Sequence, residues 1–253
     1  MHRFYLPPEN CSDKTLSLAG REAHHAAQVL RIHPGEPATV LDGAGHEYLC
    51  TVVSVTKKNI ELAVRQKNFI APLPCQLTLI QAVPKGKIIE AIIQKATELG
   101  VARIVPVLSD RVVVQLDQES AEEKVSRWQQ TAIEAIKQCG QPWLPKIEKP
   151  QRPKDFLARE EKFDLPLVAS LQPGSQHPRK FFRAFVAEKK RPPASVGMWV
   201  GPEGDFTPAE LGAIKSAGAL PISLGRLVLR CETAAVFCLS ILNYELQLPE
   251  SPA

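Results

Sequence analysis

Ser195-Val196-Gly197-Met198-Trp199-Val200 runs directly into Gly201-Pro202-Glu203-Gly204-Asp205-Phe206 and then into Thr207-Pro208-Ala209-Glu210. The first six residues form a short, nearly continuous apolar run, the pattern of a strand buried on both faces. Thr207 has the chemistry of an N-cap, Pro208 suits the first helical position, and Glu210 completes a capping box. Between strand and helix lies a sharp turn with two glycines, which let a ligand approach the backbone closely.

The same order recurs downstream. Leu220 to Leu224 reads as a strand, and Gly225-Arg226-Leu227-Val228-Leu229-Arg230 as its loop. The last long helix follows, with Ala235, Leu239, Leu242 and Leu246 on one face. Upstream, strands are predicted at Leu77 to Val83, Arg103 to Leu108 and Leu165 to Ser170. Helices are predicted at Lys87 to Leu99, stopped by Gly100, and at Ser120 to Cys139. Apolar strands alternating with helices mean a parallel sheet covered on both faces. The stretch from Gln172 to Pro193, rich in Pro, Lys and Arg, reads as a surface excursion.

Before residue 72 the pattern is different. Ile60-Glu61-Leu62-Ala63-Val64 alternates, and Tyr48 to Val55 forms its partner across the Lys57-Lys58-Asn59 turn. A helix near Gly20 to Ile32 interrupts these antiparallel hairpins, which imply a small β-barrel or sandwich. Ala71-Pro72-Leu73-Pro74 is a stiff linker. The expected organisation is therefore a β domain over 1–71 and an α/β domain over 72–253.

Composition narrows the function. The chain of 253 residues is 44% apolar and 23% charged, a globular balance, and its net charge of +4 permits a nucleic-acid partner without demanding one. No apolar run reaches the roughly 18 residues of a membrane span. The start, MHRFYLPPEN, lacks the pattern of a secretory signal, and six scattered cysteines without a CxxC pair read as reduced thiols, so a cytoplasmic protein is expected. His24 and His25 are adjacent and have no zinc-ligand spacing around them, so no metal is expected.

Parallel sheets bind ligands beyond the carboxyl ends of their strands. The two glycine loops are thus candidate walls of one pocket, with Arg230 and Glu232 flanking the last helix start. The familiar phosphate loops are missing: Tyr48 stands where GxGxxG after Gly43 needs glycine, and there is no GxxxxGK. The pocket reads as one for a nucleoside without a phosphate chain.

GPEGDF followed by SLGRLVLRCETA resembles the paired signature of the SPOUT methyltransferases. Within that superfamily the chain resembles the RsmE-type 16S ribosomal RNA uridine-N3 methyltransferases nearly end to end. The resemblance includes HRFYLP at the start, His24-His25 to Arg31, the block from Lys85 to Arg111, and Arg127-Trp128-Gln129. It implies a PUA-like β-barrel ahead of a domain with a deep trefoil knot, a homodimer, and S-adenosylmethionine in the pocket. The implied cofactor contacts are Val200, Gly201, Pro202, Glu203, Gly204, Leu224, Gly225, Leu229, Arg230 and Thr233. The implied reaction moves a methyl group to uracil N3 of 16S ribosomal RNA on the small subunit, with Arg230 and Glu232 as catalytic candidates. RNA contacts are expected from Arg3, Arg31, Lys85, Lys87 and Arg111. A different RNA target, such as a transfer RNA ribose 2′-hydroxyl, or a non-catalytic RNA-binding assembly factor are the alternatives. The family usually has glycine, threonine and arginine where this chain has Asp205, Cys231 and Gln141.

Overall fold

The computed structural model describes residues 2–56, 58–86, 88–111 and 118–247. The chain forms two compact units, one of Met1–Pro72 with Ile133–Leu144 and one of Leu73–Ala132 with Pro145–Ala253.

The first unit is a five-stranded sheet. Its strands are β1 (His2–Tyr5), β2 (Thr15–Ala19), β3 (Pro37–Leu41), β4 (His46–Val55) and β5 (Asn59–Phe69), in the order β1-β3-β4-β5-β2. Only β1 pairs in parallel, with β3. The expected pairing of β4 with β5 is present, with Val55 opposite Ile60, and it reaches further than the alternation indicated, to His46 opposite Phe69, while Lys57 of the expected turn lies outside the described residues. Alternate residues of these strands face one core, including Phe4, Leu16, Leu18, Val40, Ile60 and Leu62, all with at most 2% exposure. The predicted helix is a short α1 (Gly20–His24) continued by a wide π turn (His25–Leu30), and the left-handed Arg31 (φ 53°) ends it. Arg3 reaches from β1 to the carbonyls of Lys137 (3.4 Å) and Gln138 (3.1 Å), and Lys137 is buried against Glu22 at 2.8 Å.

The second unit is built on β6 (Gln76–Ala82), α2 (Ile88–Glu98), β7 (Arg103–Val107), α3 (Gln118–Cys139, whose end belongs to the first unit), β8 (Lys146–Ile147), α4 (Pro153–Leu157), β9 (Leu165–Ala169), α5 (Pro178–Lys189), β10 (Ser195–Val200), α6 (Pro208–Ser216), β11 (Leu220–Ile222) and α7 (Cys231–Leu246). The sheet order is β11-β9-β10-β6-β7-β8, and every pair is parallel. β10 therefore fills a gap between β6 and β9, strands formed earlier in the chain. Trp199 packs edge-on against Phe156 and Phe206, which anchors the end of β10 in the core.

The structure adds an element that the sequence reading of 172–193 as a surface excursion did not specify. The stretch from Gln172 to Pro193 contains α5, a regular helix with Phe182 buried and its N-terminus capped by His177, which accepts from Arg179 N–H at 3.2 Å. Pro178 stands at the start of that helix, where its missing N–H costs nothing. Among the described residues no helix is long and apolar enough to cross a membrane.

Candidate functional site

The carboxyl ends of β9, β10 and β11 lie side by side because of the strand order, and their three loops enclose a cavity of about 430 Å³. Its walls are residues 169–175, residues 200–203 with Asp205, and residues 223–229, closed by Cys231 and Ala234 from the first turn of α7. The volume is that of a small-molecule site, about 300–1,000 Å³.

Of the expected cofactor contacts, Val200, Gly201, Pro202, Glu203, Leu224, Gly225 and Leu229 line this cavity. Gly204, Arg230 and Thr233 are adjacent to it in sequence but do not line it. The Gly204 carbonyl accepts from the Arg111 guanidinium. Arg230 is the exposed N-cap of α7, and Thr233 is exposed on its first turn. The loop over 170–175 is a wall that sequence reasoning missed. Its signal is present, since Pro173-Gly174, shortly after the apolar strand ends at Ala169, marks a turn.

The 201–206 loop is held from several sides. Thr207 and Glu210 form the expected capping box. Glu210 also accepts from Ser109 Oγ and from Asp110 N–H, both at 2.9 Å, so one carboxylate joins the loop after β7 to the start of α6. Burial raises the pKa of Glu210, but hydrogen bonds from Thr207, Asp110 and Ser109 outweigh it and leave the group below its ordinary value. Glu203 accepts from the Lys85 N–H at 3.2 Å.

Asp205 sits in the left-handed region at φ 62°. Its Oδ1 accepts from Phe206 N–H at 2.7 Å. Its Oδ2 is buried and has no partner among the described residues. A Cβ on Gly201 would lie 3.0 Å from Asp205 Oδ1, so the side chain at 205 fixes what 201 can be. The charged residues on the walls are Glu203, Asp205 and Arg226.

The 223–230 loop is much barer. Gly225 has φ 111° and no atom within 4 Å of where a Cβ would stand, and Leu227 and Val228 are 75% and 78% exposed. Glu232 accepts from Cys231 Sγ at 3.4 Å, and among the described residues no ion pair joins it to Arg230. Burial first, then Glu232, pushes the Cys231 thiol up to about 12, so it stays protonated at neutral pH.

Lys85 and Arg111 both flank the 201–206 loop and are exposed. Arg31 is exposed in the first unit beside His33 and Gln28, and Arg3 is engaged with the end of α3. Lys87 lies outside the described residues. Among the described residues no group of three His, Cys, Asp or Glu could hold a metal ion.

Comparison with known proteins agrees with this geometry. Residues 71–243 match the family model of an RNA methyltransferase domain, and residues 18–65 match that of an RNA methyltransferase PUA domain. The ribosomal RNA small subunit methyltransferase E of Bacillus subtilis is 32% identical, over 92% of this chain and 91% of that protein. A methyltransferase of Legionella pneumophila, solved with bound SAM, is 33% identical with a TM-score of 0.86, over 96% and 97% of the two chains. The ribosomal RNA small subunit methyltransferase E of Neisseria gonorrhoeae, solved with S-adenosyl methionine, is 29% identical with a TM-score of 0.85, over 97% and 98%.

Proposed function

The chain belongs to the family of ribosomal RNA small subunit methyltransferases E, and on that premise we propose that it methylates uracil N3 of a uridine in 16S ribosomal RNA. S-adenosylmethionine is the methyl donor in this reading, and the assembled small subunit is the substrate. One observation carries the cofactor assignment: the loops after β9, β10 and β11 enclose a cavity of about 430 Å³ at the carboxyl ends of adjacent parallel strands, with Glu203 and Asp205 on its wall. Parallel sheets bind ligands at that end, and two carboxylate side chains on the wall suit a ligand bearing positive charge and N–H groups.

Bound S-adenosylmethionine supplies a methyl group already activated on sulfur. The protein's task is then alignment and electrostatics. Gly201 and Gly225 keep two walls low enough for the ligand, Glu203 and Asp205 offer negative charge to it, and the apolar side chains of Val200, Leu224 and Leu229 exclude water. Arg230, exposed at the start of α7 and next in sequence to Leu229 of the cavity wall, meets the uracil oxygens in this reading as negative charge grows on them when N3 loses its proton. Glu232 positions that helix start through its bond with Cys231. Lys85 and Arg111 supply phosphate contacts next to the 201–206 loop, which give affinity but no sequence information. The reading includes a PUA-like barrel over 1–71, a trefoil-knotted domain over 72–253, a homodimer and a cytoplasmic location.

The test is mass-spectrometric mapping of modified nucleosides in ribosomal RNA from a strain lacking the gene, with methyl transfer restored by purified protein on small subunits. Loss of one N3-methyluridine, restored by the protein, is the expected result. Loss of a ribose methyl group, or of no modification at all, overturns the assignment.

A further inference from the structure

The first unit carries a surface that the cavity chemistry leaves unused. Phe69 ends β5 directly opposite His46 at the start of β4, and it is 62% exposed. A lone exposed phenylalanine needs no explanation. This one is braced by other rings, with His46 at 5.2 Å and Trp143 edge-on at 5.9 Å between ring centroids.

The bracing is built from the backbone upward. Gly45 has φ 98°, and a Cβ there would stand 2.5 Å from the Trp143 ring and 2.9 Å from Phe69, so only glycine lets both rings lie on the chain. Trp143 Nε1 donates to the Ile70 carbonyl at 2.9 Å, and Gly45 N–H to the Pro142 carbonyl at 3.0 Å. His46 is held as firmly. Its Nδ1 meets Asp42 Oδ2 at 2.7 Å, while Asp42, 2% exposed, accepts from the N–H groups of Ala44 and His46 through Oδ1. A carboxylate at Nδ1 keeps a proton on that nitrogen and leaves Nε2 for an outside partner. On the same face of β5, two residues before Phe69, Lys67 pairs with the exposed Asp13 at 2.8 Å. Such surface pairs contribute little and yield readily to a better anion.

We propose that Phe69, His46 and Lys67 form a binding site for one unpaired nucleotide of the RNA substrate, separate from the uridine that is methylated. The base stacks on the open face of Phe69, an N–H on its edge meets His46 Nε2, and its phosphate replaces Asp13 on Lys67. Stacking on a braced aromatic ring tolerates any base, and a cation beside it tracks the backbone. The apolar surface is too small for a stable protein partner, which needs about 800 Å² per side. Among the described residues, only Phe69 and Ile70 are exposed large apolar side chains at this end of β5. The proposal rests on the reading of the chain as an RNA methyltransferase acting on ribosomal RNA.

Tryptophan fluorescence tests it. Trp128 and Trp199 are buried, at 1% and 3% exposure, so quenching by acrylamide reports mainly on Trp143 beside Phe69. A single-stranded oligouridylate of about eight nucleotides, within the usual site size, should shield Trp143 saturably, and a blunt duplex of the same length should not. Phe69→Ala, at an exposed position, should keep the wild-type melting temperature yet weaken oligonucleotide binding roughly tenfold, the scale of one lost stack. Phe69→Tyr should retain it. Unchanged affinity in Phe69→Ala overturns the site, as does shielding that rises with protein concentration in the absence of RNA, which would mark a second copy of the chain as the occupant. S-adenosylmethionine calorimetry on the same samples separates the two readings. A wild-type protein that binds no cofactor refutes the methyltransferase assignment, whereas oligonucleotide binding judges the platform on its own.

Discussion

The two glycine loops occupy equivalent places, each after a parallel strand and each before a helix, yet they are held very differently. The 201–206 loop is tied down by a capping box, by Glu210 reaching the loop after β7, by Lys85 N–H on Glu203 and by Arg111 on the Gly204 carbonyl. The 223–230 loop has a local bond from Gly225 N–H to Ser223 Oγ, open space around Gly225, and two apolar side chains in solvent. One wall of the cavity is thus preorganised by the fold, and the other carries surface that the chain alone does not cover. Residues of the first loop should therefore contribute to stability, and residues of the second to function.

The largest expected effect lies at the end of the bare loop. Arg230→Ala should lower single-turnover methyl transfer by about 100-fold or more, the scale for losing one preorganised donor, with an unchanged melting temperature. Arg230→Lys should recover only part, because an ammonium lacks the planar fork. A destabilised but active alanine variant would break the contrast. Next comes Glu210→Ala in the held loop, which removes a cap and leaves the donors of Ser109 and Asp110 unpaired; urea unfolding should show a loss of about 2–3 kcal/mol. The pH dependence has a defined sign. Glu210 is held below its ordinary 4.5, so its contribution is complete above that pH and fades as the pH falls through the folded value. Glu210→Gln should remove that part of the acid sensitivity.

Gly225→Ala sharpens the comparison further. No atom obstructs the new methyl group, so only the backbone strain at φ 111° is felt, about 1–2 kcal/mol. It should appear in the melting temperature unless the bare loop relaxes, in which case cofactor affinity alone falls. The smallest effect is expected outside both loops. Hydrogen bonds from Arg191 and from the Ala194 N–H lower Asp164 to about 2, so this carboxylate stabilises the fold above its ordinary 3.8 and ceases to as the pH approaches 2. Asp164→Asn should melt slightly lower than wild type at neutral pH, and the difference should vanish in acid.

Much of the site was legible because its signals are local. The Thr207–Glu210 box spans three residues, and the chain closes it with its own backbone wherever the helix forms. The β4–β5 hairpin followed from alternation and a short turn, and the loops after β10 and β11 followed from glycines at the ends of apolar strands. The third wall was harder to see, since the composition of 172–193 concealed both its loop and α5. The resemblance to a known family supplied the cofactor and the reaction, which no periodicity contains.

The sequence by itself determined where strands, helices and caps begin and end, because those depend on residues three or four apart and on the alternation of apolar side chains. Tertiary structure alone decided the rest. Glu210 meets Ser109 and Asp110 across about a hundred positions, and Arg3 caps the end of a helix begun at Gln118. The cavity exists because β9, β10 and β11 lie adjacent with β10 inserted beside β6. Such pairings are chosen by long-range burial and hydrogen bonding, and a strand's own residues do not specify which of several apolar strands becomes its neighbour.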